Sequence, residues 1–235
     1  MIKESSELTR DLIFDFYKST SIQATINCSW RLMKYCEGHA KQQVYREIKG
    51  EIAEVVLELL LCEMQKVVQR SIVLKGLCIE FVNSNGTTEM DLVFITPFKI
   101  YMFECKSYKN NPKITKECLI AGCTDVKRQS DLHVIGLNQY LGGQYDRTLG
   151  VKPYKEILFE MSSEGMRDER DDYWKKKIPV LNPNNFIPEF GRTLREDRAK
   201  ASDLWNVEEI AKILKPLARK SDKTFEKHMK HYVKK

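Results

Sequence analysis

An α/β fold, with a mixed β-sheet core flanked by helices and helical additions at both ends, is what the apolar patterning of this chain predicts. Stretches of apolar residues at helical spacing alternate along the chain with short runs of β-branched and aromatic residues. Two of those runs, residues 90–95 (MDLVFI) and 100–106 (IYMFECK), are separated only by Thr96, Pro97, Phe98 and Lys99, a turn composition that makes them antiparallel neighbours.

Taken in order, residues 8–47 read as helical, with Ile22, Ile26, Trp30 and Met33 forming a stripe. Over residues 50–68, Ile52, Val55, Val56, Leu59 and Leu60 keep helical spacing. Glu51, Glu54 and Glu58 fall on a neighbouring polar face, where Glu54 and Glu58 are expected to be solvated. Strands follow at 77–82, 90–95 and 100–106, then a helix from Arg128 (RQSDLHVIGLNQYL) and a strand at 156–161. Residues 164–172 read as a charged loop, 178–181 as an edge strand and 182–188 as an Asn- and Pro-rich turn. Helices are expected over 204–217 and 223–233. The expected division is an N-terminal helical region over 1–47, a core over 48–190 and a basic C-terminal helical region over 191–235.

With 235 residues, 42% hydrophobic and 31% charged, the chain is long and apolar enough to bury a full core. It holds no apolar run long enough to span a bilayer, and its opening MIKESSELTR lacks the apolar stretch of a signal peptide, so no membrane association and a cytoplasmic location are expected. Seven cysteines, an odd number, suit reduced thiols. Cys28, Cys36 and His39 match no compact zinc spacing, nor does the Cys118 and Cys123 pair.

The most informative pattern is Glu89-x-Asp91, a gap of twelve residues, then Glu104-x-Lys106. Side chains alternate along a strand, so Asp91, Val93 and Ile95 are expected on one face, as are Ile100, Met102, Glu104 and Lys106. Charges that interrupt runs of Val, Phe, Ile and Met need partners or a metal if the sheet is covered on both sides. On an exposed strand the same E-x-K pattern is commonplace. Asp91 and Glu104 offer hard oxygen ligands for Mg²⁺ or Mn²⁺, and the Cys105 main-chain carbonyl is a further candidate ligand. Lys106 would then stabilise charge growing on a phosphoryl group. The Cys105 thiol is expected on the opposite face from Glu104 and Lys106. Glu51, read as lying in the first turn of its helix where the dipole favours an acid, is a candidate outer or direct ligand; a plain helix-start acid is the alternative.

These motifs, in this order, resemble the PD-(D/E)XK nuclease superfamily, and within it the nuclease-related domain group most closely. The resemblance covers residues 48–160 and rests on Gly50-Glu51, Glu89-x-Asp91, Glu104-x-Lys106 and Arg128-Gln129. The family usually has Thr or another small residue where this chain has Cys105. What the resemblance implies is a restriction-endonuclease-like fold and a Mg²⁺- or Mn²⁺-dependent nuclease. In that reading Asp91, Glu104 and Glu51 bind metal, Lys106 is the catalytic lysine and Gln129 is a positioning group. DNA is the implied substrate, with RNA left open. The rival reading is a catalytically inactive nuclease fold that binds nucleic acid or acts as a scaffold.

Lys127 and Arg128, at the start of the Gln129 helix, suit either phosphate contact or plain surface. His133, among Leu132, Val134, Ile135 and Leu137, reads as a packed or solvated helix histidine rather than a base. The net charge of +6 is concentrated at the end of the chain, where residues 211–235 carry nine basic residues against Asp222 and Glu226. Lys223, Lys227 and Lys230 are therefore candidate phosphate contacts. Phe225, Met229, Tyr232 and Val233 recur at helical spacing through the same segment, which also makes it an amphipathic helix. Self-association or a protein partner is left open.

Overall fold

The computed structural model describes residues 21–38, 43–82, 86–108, 112–120, 124–142, 153–161, 165–202 and 204–218. Helix α1 (Ile22–Gly38) and helix α2 (Gln43–Val67) lead into strands β1 (Ile72–Glu80), β2 (Thr87–Ile95) and β3 (Ile100–Lys106). Three two-residue strands follow, β4 (Lys113–Ile114), β5 (Leu119–Ile120) and β6 (Thr124–Asp125), then helix α3 (Val126–Leu141) and strand β7 (Tyr154–Glu160). The chain continues through β8 (Arg167–Asp168), α4 (Asp172–Lys177), β9 (Val180–Leu181), α5 (Phe186–Lys200), α6 (Val207–Leu214) and a 3₁₀ turn at Lys215–Leu217.

The main sheet has the order β1-β2-β3-β7-β9, antiparallel across β1, β2 and β3 and parallel across β3, β7 and β9. It is the mixed sheet expected, with helices on both faces. Leu92, Phe94, Tyr101, Phe103, Ile157 and Phe159 pack toward α1, α2 and α5. Val93, Ile95, Ile100 and Met102 pack toward Leu137 and Leu141 of α3 and Val207, Ile210 and Leu214 of α6. Alternation places the two sets on opposite sides and so dictates the three-layer arrangement. A small second sheet, β6-β5-β4-β8, lies between β3 and the closing helices in the chain order.

The β2–β3 turn forms at the expected residues. Thr96 N–H and Thr96 Oγ1 both donate to the Lys99 carbonyl, at 3.0 and 2.7 Å. The Trp205 main-chain N–H donates to Pro97 O at 2.9 Å, and its indole N–H donates to Thr96 O.

Three expectations are corrected. Helix α2 begins at Gln43, so Gly50-Glu51 lies inside the helix rather than opening it, and the helix-dipole argument for Glu51 does not hold. Helix α5 starts inside the expected turn over 182–188 and crosses the expected core boundary at 190 into the helical region, because Pro188 and a high density of charge obscure its stripe. Pro188 is its third residue, within the first turn, where the missing N–H costs nothing. Phe186, Phe190 and Leu194 drive the helix into the core, and it runs through position 190 without a break. Strand alternation also slips once. Leu74 and Leu77 of β1, and Met90 and Val93 of β2, enter the same core despite odd spacing. At the slip the register skips Gly76, φ +60°, and Asp91, which lie between the Lys75↔Leu92 and Leu77↔Met90 pairs. The expected helices over 8–20 and 223–233 lie outside the described residues, as does Cys123.

Phe190 carries the α5 contact, meeting Phe94, Tyr101 and Phe103 edge-on at ring-centroid distances of 5.9, 5.1 and 5.4 Å. Phe190→Ala is expected to cost about 3–5 kcal/mol of unfolding free energy, read as a lower urea midpoint at unchanged slope.

Candidate active site

The β2–β3 ladder runs from Ile95↔Ile100 to Leu92↔Phe103 and ends there. One residue further, the Asp91 side chain takes over the role of backbone, with Oδ2 accepting from the Cys105 N–H at 2.6 Å. The strands part at that point, and the parting opens a cavity of about 550 Å³. Its walls include Glu89, Asp91, Glu104, Lys106, Arg128 and Gln129. Strand β2 thus supplies the first two carboxylates, β3 the third and the ammonium, and the start of α3 the remaining two polar groups. Asp125 caps α3 by accepting from the Arg128 N–H, which aims the first turn of the helix at the opening.

Glu104 is 7% exposed, and its Oε1 lies 2.5 Å from Lys106 Nζ. Its Oε2 is buried with no hydrogen-bond partner. Burial pushes the Asp91 carboxyl well above the usual carboxylate range, and the neighbouring Glu104 charge adds to the effect; the Cys105 N–H and Lys106 oppose it. Burial pulls Lys106 down, but the Glu104 carboxylate outweighs it and holds the ammonium above the ordinary lysine range. Two desolvated carboxylates therefore share one ammonium, and one carboxylate oxygen is left unsatisfied. Such a donor set fits a hard divalent ion, which is commonly held by one or two carboxylates and keeps its remaining positions for water and phosphate. Among the described residues no three His, Cys, Asp or Glu side chains form a closed metal cage.

Asp91, Glu104, Lys106, Arg128 and Gln129 are thus brought to one opening. Lys127 is not; its Nζ stands 5.4 Å from the centre of the Trp174 ring. Lys223, Lys227 and Lys230 lie outside the described residues. The Cys105 side chain packs against the core on the α2 side, as expected, and burial pushes its thiol up. Glu54, expected in solvent, is instead half-buried, 3.7 Å from Lys75. Burial raises its carboxyl, Lys75 opposes this, and the charges of Glu89 and Glu104 raise it further. Glu54 supplies α2's charge at Asp91, and Glu51 lies three residues earlier on the same side of the helix. His133 and Glu156 are site neighbours whose pairing the sequence does not announce; they are buried against each other within reach of the Glu104 charge, and Glu156 lines a separate cavity of about 680 Å³.

Residues 47–159 match the model of the nuclease-related domain family, NERD. The matched segment contains every site residue named above that the structure describes, and it spans α2 to β7. No curated protein matches the chain. A solved structure, protein VC1899 from Vibrio cholerae, aligns with a TM-score of 0.42 and 12% identity over 69% of this chain and 37% of that one.

A raised carboxyl makes a signed prediction for the metal-free protein. Between the unfolded Asp value and the higher folded one, the folded state holds a proton that the unfolded state has lost, so stability falls as pH rises through this window. Asp91→Asn keeps an acceptor for the Cys105 N–H and removes the charge. In EDTA at pH 7 it should melt about 2 °C or more above the parent, and the difference should shrink toward zero below about pH 4.

Proposed function

We propose that this chain is a nuclease that hydrolyses phosphodiester bonds in DNA with Mg²⁺ or Mn²⁺ held by Asp91 and Glu104. The observation that carries the reading is the buried, unpartnered Glu104 Oε2 beside a second desolvated carboxylate, in a cavity that also holds Lys106. The Cys105 carbonyl and the α2 carboxylates Glu51 and Glu54 are candidates to complete the surroundings of the ion. When bound, the ion would neutralise phosphate charge and make water a better nucleophile.

The protein's own groups do the rest. Asp91 is held at a fixed angle by its bond from the Cys105 N–H. Lys106, anchored to Glu104 at 2.5 Å, presents a permanent positive charge to the attacked phosphoryl group and to the water entering it. Arg128 and Gln129, on the opposite wall, suit the substrate backbone and the attacking water respectively. Linear, circular, single-stranded and branched DNA incubated with Mg²⁺, Mn²⁺ or EDTA tests the reading. Cleavage should require the metal, and Asp91→Ala and Glu104→Ala should abolish it without unfolding the protein. Lys106→Ala should lower kcat by about 10²-fold or more with a smaller loss of DNA affinity. Affinity and activity falling in step would make Lys106 a phosphate contact only, and metal-independent binding without cleavage would favour a scaffold.

The basic tail is proposed to add phosphate contacts outside the site. Exchanging Lys223, Lys227, Lys230, Lys234 and Lys235 for Gln should weaken DNA binding and flatten the fall of log affinity with log salt, by about 0.9 for each phosphate that is no longer neutralised. An unchanged slope would remove the tail from the nucleic-acid surface.

A further inference from the structure

His133 has no exposed surface, and both of its ring nitrogens are engaged. Nδ1 lies 2.9 Å from Glu156 Oε2, and Nε2 lies 3.0 Å from the Glu89 carbonyl oxygen. A carbonyl only accepts, so Nε2 carries a proton and donates it; the second proton lies between Nδ1 and Glu156. Glu156 is 3% exposed on β7, in register with Met102 of β3, two residues before Glu104. The pair therefore ties three elements together: α3 through His133, β7 through Glu156, and β2 through a carbonyl two residues before Asp91.

A second contact sits one turn along the same helix. A Cβ on Gly136 would lie 3.1 Å from Thr88 Cγ2 and 3.3 Å from Ile79, so α3 presses closely onto β1 and β2 at the residue before Glu89. Helix and strand are thus held at adjacent points, Gly136 on Thr88 and His133 on Glu89. The N-terminal turn of that helix carries Arg128 and Gln129, and the strand carries Asp91.

We infer that the buried His133, oriented by Glu156, is a positioning residue for the site, clamping α3 onto the strand that carries Asp91 through the Glu89 carbonyl. Its metal arm rests on the reading of Asp91 as a metal ligand; its structural arm does not. Within a metal site, groups that orient the ligands typically govern affinity by about 10- to 100-fold.

Two polar substitutions separate the clamp from simple core filling. His133→Gln extends an amide N–H as far as the lost Nε2 and keeps the bond to Glu89. His133→Asn reaches only as far as Nδ1 and keeps Glu156 alone. In metal-free protein, hydrogen exchange of the amides of residues 87–92 should speed up about tenfold in His133→Asn relative to those of residues 100–103, and stay near the parent rate in His133→Gln. Mn²⁺ affinity, read by calorimetry, should fall about tenfold in the Asn variant and recover in the Gln variant. Equal exchange in the two variants, or loosening spread evenly over β2 and β3, would overturn the clamp. If the parent protein takes up no Mn²⁺ at all, the metal reading fails and the exchange comparison still decides.

Discussion

Asp91 and Glu104 are brought together where β2 and β3 separate, Asp91 half-buried and Glu104 buried, with a single ammonium directly on Glu104. Mutual repulsion between desolvated carboxylates is unfavourable for folding, so the surrounding structure must hold them there. It does so through backbone. The Cys105 N–H fixes Asp91, β1 stays paired with β2 beyond the Gly76 slip, and the ordinary β2–β3 pairing from Leu92 to Ile95 supplies the cooperativity. Replacing Gly76 with a side chain would strain the slip, because φ +60° is a conformation that residues with a Cβ adopt only at a cost.

The energy that tolerates this arrangement is concentrated at the other end of β3. There Tyr101 and Phe103 meet the α5 aromatics, and the Lys99 ammonium lies 2.8 Å from Asp197, which also accepts from Tyr101 at 3.0 Å. Lys99 and Lys106 are separated along the strand by about 23 Å at ordinary strand rise. The buried Lys99–Asp197 pair and the candidate site therefore flank the Tyr101–Phe103 stretch of β3 on either side. Asp197 is 8% exposed and also has Lys155 at 3.9 Å, so removing Asp197, which would strand the buried Lys99 ammonium, would cost more than removing Lys99.

Much of this is legible in the sequence because it is local. The β2 and β3 strands, their Thr96–Lys99 turn and the E-x-D and E-x-K spacing all follow from composition and period 2. What escapes depends on tertiary context. Glu54 looks solvated on a helix taken to start at Gly50, but six further residues before Lys49 are helical, and packing rather than helix position decides which acids face the sheet. Helix α5 hides its apolar face among charges and a proline, and only Phe94, Tyr101 and Phe103 show what that face is for. His133 reads as packed or solvated and is packed, yet its partner lies 23 residues away on another element, a separation no periodicity reveals. Gly76 carries no local sign that Asp91 will fall opposite it.

The charges around the opening also set an order of events. Glu89, Asp91, Glu104 and Asp125 line it against Lys106 and Arg128, and Glu54 and Lys75 act on it from α2 and β1. Lys75 is drawn off toward Glu54 and Glu58, at 3.7 and 3.4 Å, and Lys106 toward Glu104. With these groups ionised the site carries more negative than positive charge, which disfavours a phosphate at short range. A divalent cation reverses the sign locally, which is why electrostatic arguments at such sites begin with the ion's own charge. On the proposed reading, cation entry precedes productive phosphate entry, and nucleic acid that binds in the cation's absence must do so through groups away from the carboxylates. On the same reading Arg128, which lines the opening, would hold a backbone in both situations, whereas Lys106 would gain its leverage only once the carboxylates beside it have another positive charge to answer to.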